Sequence, residues 1–195
     1  NPNTIGTIST MGQMLVSLFE SLNSRTAGFF TIGFHHTADQ TKILLALLMF
    51  VGGTSASVSG GVKVNTVAII FASVVSTIRN HSYPTAFGRE IPPVQLQRAL
   101  TVSVSALIAI LTFSLILSLT EGNMPFASLL FESVSAISLV GSPTGLASDM
   151  SPFGHVILTA EMILGRIGPL TLVFAMSTHD RPPTYVFAQE RVTIA

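Results

Sequence analysis

Two short glycine-centred segments of the chain could hold a small cation through their backbone. Each places a glycine in a turn between apolar stretches: the first is Thr26, Ala27, Gly28 and Phe29, and the second is Leu139, Val140, Gly141 and Ser142. Irregular backbone is tolerated at membrane depth only where protein buries it or where it lines a water-filled path. Backbone carbonyl oxygens in such a place can replace the hydration shell of a cation. The two turns therefore predict cation coordination by backbone rather than by side chains.

The composition places these turns in a membrane protein. Of the 195 residues, 48% are hydrophobic and 9% are charged, whereas soluble domains have about 25% charged residues. The formal net charge of +0 gives no basis for nucleic-acid binding. The absence of cysteine removes disulfides, thiolate metal sites and thiol nucleophiles. The chain begins at Asn1 without the pattern of a signal peptide, and we expect a fragment of a longer chain.

An internal repeat surrounds the two turns. The tetrapeptide Leu-Phe-Glu-Ser occurs at residues 18–21 and again at 130–133, and a glycine follows each acid after eight or nine residues. Each copy lies in a short apolar segment, 11–23 or 126–138. These segments are shorter than the ~20 residues that a membrane span needs. The pattern predicts two re-entrant helices that end at the turns; a buried or interfacial helix is the alternative.

Three longer apolar segments flank the turns. One follows the first turn, one precedes the second turn, and one follows the second turn. Residues 41–78 are interrupted by a stretch rich in glycine and serine, which predicts a broken helix; a close helix-packing face of small residues is the alternative. Residues 99–120 carry no charge and are the clearest span. Residues 153–178 are the last span, and they contain Glu161 and Arg166. We expect a bend at Pro169, which cannot complete the helical hydrogen bonding.

The distribution of positive charge sets the expected orientation. The loop at 79–98 has three arginines against one acid, and the tail after residue 178 has two more arginines. The positive-inside rule therefore predicts that both are cytoplasmic in a multi-pass protein of the cell membrane. His35, His36 and Asp39 have side chains that can bind metals, but no further ligand stands at helical spacing, which favours an extracellular loop.

The chain resembles the Trk/Ktr/HKT superfamily of cation transporters, and most closely the bacterial Ktr-type or Trk-type potassium uptake membrane subunit. The segments that carry the resemblance extend over nearly the whole chain: Arg25-Thr-Ala-Gly-Phe29, Gly60-Gly-Val-Lys63, Phe131-Glu132, Val140-Gly-Ser142, Gly165-Arg-Ile-Gly-Pro-Leu-Thr171 and Glu190-Arg-Val192. Together these segments are specific evidence for the resemblance, whereas each one alone is weak evidence. The resemblance implies an all-α membrane protein of M1–pore helix–M2 repeats, as in potassium channels, where M1 and M2 are spanning helices. It implies that this chain has about two of four repeats.

The resemblance also implies a division into two pore repeats. Residues 1–90 are expected to form the third repeat, with a pore helix over 11–25, a filter over 26–29 and a broken M2 over 41–78. Residues 91–195 are expected to form the fourth repeat, with M1 over 99–120, a pore helix over 126–138, a filter over 139–143, M2 over 153–178 and a cytoplasmic tail.

The resemblance assigns roles to named residues. The two glycine turns would form half of a selectivity filter for potassium. Arg166 would face the pore below the filter as an electrostatic barrier. The interruption in the third M2 would be an intramembrane gate, stiffened because Ser55, Ala56 and Ser59 stand where the family has proline and glycines. Its residues are Thr54, Ser55, Ser57, Ser59, Gly60, Gly61 and Lys63.

The resemblance implies three partners and no cofactor other than the transported ion. The partners are membrane lipid, a second copy of the chain in a homodimer, and a cytoplasmic nucleotide-binding regulatory ring of the RCK type. No transition metal and no nucleic acid are expected.

Other functions stay open on the residues alone. A membrane-embedded enzyme would need a nucleophile with a base, or a motif such as HExxH, and neither stands at suitable spacing. A non-conducting fragment is a second alternative, because half a pore cannot enclose an ion path. A sodium-permeable or poorly selective cation transporter is the third, because two filter segments lie outside this chain.

Overall fold

The structure is a computed structural model that describes residues 4–6, 8–25, 28–34, 37–54, 57, 59–80, 83–142 and 144–168. Within these ranges the chain forms six α-helices and one hairpin. They are α1 (Thr10–Asn23), α2 (Asp39–Phe50), α3 (Val64–Ile78), β1 (Thr85–Ala86), β2 (Arg89–Glu90), α4 (Pro93–Thr120), α5 (Phe126–Ser138) and α6 (Pro152–Ile167). A short 3-10 helix, Leu146–Asp149, precedes α6.

The short helix α5 is the centre of the fold. From Ser128 to Ser138, every residue except Leu130 is buried. One side of α5 packs against α2 and α4 in a single apolar cluster, and the other side packs against α4 and α6 in a second cluster. A helix that is buried on all sides has apolar or small residues on every face. This explains why α5 combines serines with large apolar residues. The helix therefore holds the turn that follows it in a fixed place.

The helix pair α2 and α3 is interrupted where the sequence is rich in glycine and serine. Val51 and Val62 form an isolated parallel bridge across the interruption. The Gly52 amide donates to the Val62 carbonyl at 2.8 Å, and the Val62 amide donates to the Phe50 carbonyl at 3.1 Å. The end of α2 and the start of α3 are thus joined by backbone hydrogen bonds, which satisfy polar groups that a membrane would leave unpaired.

The connection between α3 and α4 differs from the expected irregular loop. The α4 helix begins at Pro93 rather than at 99, because proline is compatible with the first turn of a helix and starts it before the apolar run. The strands β1 and β2 pair antiparallel around a turn in which Phe87 and Gly88 have φ of 52° and 74°. The sequence does not predict this turn, because a phenylalanine rarely takes a positive φ.

The last described helix, α6, covers the first part of the expected M2. It ends at Ile167, and Gly168 has a φ of 86° and leaves the helical region. A glycine with positive φ is a common helix end, and the predicted bend at Pro169 lies outside the described residues. The remainder of the expected M2 and the cytoplasmic tail lie outside the described residues.

One helix of the described part, α4, is long and apolar enough to cross a membrane by length and composition. The helices α3 and α5 are apolar but shorter. The short helix α1 exposes a row of large apolar side chains at helical spacing: Met11, Met14, Leu15, Leu18 and Leu22.

Candidate cation-coordination site

The two glycine turns lie side by side. Gly28 and Gly141 have left-handed φ values of 72° and 75°. A Cβ atom placed on Gly28 would lie 3.8 Å from the carbonyl oxygen of Val140, and one on Gly141 would lie 3.9 Å from the Cα of Gly28. The fold thus brings together two segments that are far apart in sequence. A side chain at either glycine would enter the space between them.

The peptide that follows each glycine is oriented by a side chain of the preceding helix. The Phe29 amide donates to Asn23 Oδ1 at 3.2 Å, and the Ser142 amide donates to Ser135 Oγ at 3.0 Å. These peptides are trans, and in a trans peptide the carbonyl points opposite to the N–H. The carbonyl groups of Gly28 and Gly141 therefore point away from the side chains of Asn23 and Ser135 that hold these amides.

The second turn begins with an unusual helix cap. Leu139 follows α5 with a φ of 58°, in the left-handed region. The Leu139 amide donates to the Ala136 carbonyl at 3.1 Å, and the Val140 amide donates to the Ser135 carbonyl at 3.0 Å. Glycine is the usual residue in this conformation, so a leucine here is held in place by its surroundings. Pattern alone did not predict this cap.

A glutamate from each Leu-Phe-Glu-Ser copy reaches to a threonine beyond the turn. Glu20 Oε1 accepts both the amide and the hydroxyl of Thr31, each at 2.7 Å. Glu132 Oε1 accepts the amide of Thr144 at 2.7 Å and its hydroxyl at 2.6 Å. The two acids were predicted only as markers of the repeat, and the role of the threonines was not predicted. The sequence does contain a signal for the threonines, because each one is the third residue after its turn glycine.

The expected gate segment is folded onto itself. Lys63 Nζ donates to the carbonyl oxygens of Ser57, at 3.0 Å, and of Ser59. Ser59 Oγ accepts the Gly53 amide at 2.7 Å, and the Thr54 carbonyl accepts the Ser57 amide at 2.9 Å. The ammonium group of Lys63 thus compensates the negative ends of two carbonyl dipoles within the expected gate segment.

The carboxyl end of α5 is packed between this segment and α6. A Cβ atom on Gly60 would overlap the carbonyl oxygen of Ile137 and lie 2.9 Å from the carbonyl carbon of Ser138. A Cβ atom on Gly165 would overlap the same oxygen. The Gly60 amide also donates to the Ser138 carbonyl at 3.2 Å. The expected gate segment, the second turn and α6 therefore meet at one backbone position.

The other residues singled out by sequence fall in different places. Arg166 is exposed in the last turn of α6, and its positive charge repels that of Lys63. Phe29 is exposed, whereas Val140 and Ser142 are buried. That Arg166 faces a pore stays a prediction. Three of the predicted site residues lie outside the described ranges, namely Thr26, Ala27 and Ser55, and so do Ala56, His35, His36, Pro143 and Pro169.

A buried acid lies behind the second turn. Glu161 of α6 is fully buried beside Ser133 of α5 and within electrostatic reach of Glu132. The contact between α5 and α6 therefore includes buried polar groups as well as the apolar cluster. Sequence reasoning identified Glu161 only as an ionisable residue at membrane depth.

The proteins that this chain is similar to are named as transport proteins. The family described as TrkH, cation transport protein, matches residues 1–182. Ktr system potassium uptake protein B of Vibrio alginolyticus is 34% identical over 186 residues, which cover 95% of this chain and 40% of that protein. Potassium/sodium uptake protein NtpJ of Enterococcus hirae is 33% identical over 184 residues, which cover 91% of this chain and 41% of that protein. The chain thus spans about two fifths of the length of these curated relatives.

A solved structure has the same fold. The potassium transporter TrkH from Vibrio parahaemolyticus matches with a TM-score of 0.74 and 21% identity, over 89% of this chain and 39% of that one. This confirms the expected architecture of a helical membrane transporter, present in part. The matched family is one of transport proteins rather than enzymes. The extent of the family match and the identity to the curated relatives confirm the resemblance, and the chain belongs to the TrkH family of cation transport proteins.

Proposed function

We propose that this chain is part of the translocating subunit of a potassium uptake system and supplies two of the segments that line its selectivity filter. The observation that carries the proposal is the pair of facing turns at Gly28 and Gly141, whose following amides are turned back toward α1 and α5. The potassium-uptake name of the Vibrio alginolyticus relative supports the choice of ion.

The mechanism is coordination of a dehydrated cation by backbone carbonyls. Both glycines have positive φ, a conformation that costs a residue with a side chain more than it costs glycine. The α5 helix ends at Ser138, directly before the second turn. The carboxyl end of a helix carries partial negative charge, and this charge favours a cation at the turn.

The gate and the barrier extend the same proposal. The segment from Thr54 to Lys63 would close the path below the filter, held shut by the hydrogen bonds from Lys63 to Ser57 and Ser59. Arg166 would raise the electrostatic barrier to cations that have left the filter. The two positive charges repel each other, so a movement of the segment changes the potential that a passing ion meets.

The assembly is proposed on the resemblance. The remaining filter segments would come from outside this chain, which spans about two fifths of its curated relatives. A homodimer in the membrane and a cytoplasmic nucleotide-binding ring would complete the system. The loop at 79–98 and the tail would face the cytoplasm, where such a ring could reach them.

A second candidate is transport of sodium together with potassium. The Enterococcus hirae relative has potassium/sodium uptake in its name, and its identity to this chain is close to that of the Vibrio alginolyticus relative. The ion preference therefore has to be measured as a ratio, and not as potassium uptake alone.

The first prediction tests the filter through Gly141. We expect Gly141→Ser in the intact protein to lower the ratio of rubidium to sodium uptake about tenfold or more, because serine is strained at a φ of 75° and its side chain enters the space beside Gly28. The measurement is tracer uptake into cells that lack their own potassium systems.

The matched control is Gly122→Ser, because a Cβ atom on Gly122 meets nothing within 4 Å. If the unsubstituted protein restores rubidium uptake and only the Gly141 variant loses ion preference, the proposal holds. If both variants keep the ratio of the unsubstituted protein, the glycine turns are packing elements and ions pass elsewhere.

A further inference from the structure

We propose that Glu20 with Thr31, and Glu132 with Thr144, are positioning pairs that set ion selectivity by fixing the far end of each filter turn. The inference rests on the proposed function and deepens it. None of the four side chains needs to touch the ion. Their role is to hold the backbone whose carbonyls do.

The two pairs have the same geometry. In each, one carboxylate oxygen accepts two hydrogen bonds from a single threonine, one from its amide and one from its hydroxyl, at 2.6–2.7 Å. In each, the threonine stands three residues after the turn glycine. Two turns with different sequences thus use one device. A chance packing contact would not be expected to recur with the same atoms and the same offset.

The pairs complete a two-point attachment of each turn. The first point is the amide after the glycine, held by Asn23 or by Ser135. The second is the threonine amide, held by the glutamate. Because peptides are planar, fixing amides on both sides of a short segment limits the rotation of the carbonyls between them. In the first turn, the Thr31 bond also directs the Phe30 carbonyl away from Glu20.

Burial makes the second pair strong. Glu132 is 7% exposed and Thr144 is 1% exposed, so water cannot compete well for these hydrogen bonds. Bonds to a carboxylate are shorter than neutral ones and roughly twice as strong. A carboxylate that lost its donors at this depth would be left unsatisfied, which is costly. The turn is therefore held against the small displacements that would let it close around a smaller ion.

The chain contains a chemically matched pair away from the filter. Glu121 Oε1 accepts the amide of Ser151, at 3.1 Å, and its hydroxyl. Glu121 is 9% exposed, and Ser151 caps the start of α6 by accepting the Gly154 amide at 3.1 Å. This pair joins the turn after α4 to α6 and does not touch either glycine turn. It controls for the general cost of losing a buried glutamate.

The experiment measures the ratio of rubidium to sodium uptake by the intact protein in cells without their own potassium systems. The variants are Glu132→Ala, Thr144→Val and Thr144→Ser, and the control is Glu121→Ala. We expect the ratio to fall about tenfold in Glu132→Ala and several-fold in Thr144→Val, which loses one of the two bonds. Thr144→Ser, which retains the hydroxyl, should keep the original ratio. A ratio does not depend on how much protein reaches the membrane.

A further variant separates geometry from charge. Glu132→Gln keeps an oxygen that can accept both bonds and removes the negative charge. If Glu132→Gln keeps most of the selectivity, the glutamate acts by positioning. If Glu132→Gln loses as much as Glu132→Ala, its charge and not its hydrogen bonding matters, and the proposal is overturned.

Two other outcomes are informative. If Thr144→Val keeps the original ratio, or if Glu121→Ala lowers it as much as Glu132→Ala does, the pairs are general supports of the fold and the inference fails. If the unsubstituted protein shows no rubidium uptake at all, the failure is that of the proposed function. The two failures are thus distinguished in the same assay.

Discussion

The carbonyl oxygen of Ile137 is closely approached by two glycines from different elements. Gly60 approaches it from the interrupted helix and Gly165 approaches it from α6. Neither glycine is needed there for a positive φ, because neither has one. Both are needed because any Cβ atom would overlap backbone, which cannot move aside as a side chain can. The residue type at these two positions is thus set by contact distance.

A substitution at Gly165 tests this. Gly165→Ala replaces a poor helix former by a good one, which alone would stabilise α6 by about 1 kcal/mol. We expect instead a net loss of about 1–3 kcal/mol from the forced displacement of α5. The midpoint of thermal inactivation of the intact protein in detergent should fall accordingly. Gly122→Ala is the control, and equal midpoints for the two variants would show that α5 and α6 can separate without cost.

At the scale of elements, the repeat predicted the helices better than the loops. The two Leu-Phe-Glu-Ser copies lie in α1 and α5, and the glycine- and serine-rich stretch lies between α2 and α3. These elements could be predicted because apolar periodicity and glycine content determine structure locally. The hairpin of β1 and β2 was missed because its turn has phenylalanine at a positive φ instead of a familiar turn pair.

The parts of the site that were missed depend on distant contacts. The bond from Glu132 to Thr144 spans an irregular segment, and the bond from Lys42 Nζ on α2 to Ser128 Oγ on α5, at 2.9 Å, joins residues 86 positions apart. No local propensity encodes such pairs, since the fold decides which loop residue meets which helix residue. The neighbourhood of Gly28 and Gly141 was expected only from the resemblance.

The interrupted helix pair yields a prediction about Lys63. If the segment is the proposed gate, we expect Lys63→Met to raise rubidium uptake in cells without the proposed regulatory partner, by up to about tenfold, because the carbonyls of Ser57 and Ser59 lose the ammonium group that binds them. Arg79→Met, at the other end of α3, removes a positive charge outside the segment and serves as the control. Uptake that is unchanged or lower in Lys63→Met would show that this segment is not a closed gate.

At the scale of the whole molecule, the exposed apolar surface indicates missing neighbours. The row of large side chains on α1 is uncovered, and a surface of this kind marks contact with lipid or with further protein. Because the chain spans about two fifths of the length of its curated relatives, we propose that protein segments corresponding to the rest of that length cover α1. The α5 helix, by contrast, is already enclosed by α2, α4 and α6.

The orientation in the membrane can be measured by labelling. The chain has no cysteine of its own, and Phe87 and Asn123 are exposed on opposite ends of α4. With any other cysteines of the intact protein replaced, an impermeant maleimide should label Asn123→Cys in whole cells and Phe87→Cys only after permeabilisation. Labelling of Phe87→Cys in whole cells would contradict the predicted cytoplasmic position of the loop at 79–98.

The contact of Gly60 with the end of α5 has a thermodynamic consequence. The Gly60 amide is bonded to the Ser138 carbonyl, one residue before the second turn, so a displacement of the interrupted segment perturbs the end of the helix that supports this turn. Coupling between two sites is reciprocal in free energy. If a ligand of the regulatory partner moves this segment, it must change the affinity of the turn for ions, and ion occupancy must in turn change the affinity for that ligand by the same factor. Potassium would then be an effector of its own uptake as well as its cargo.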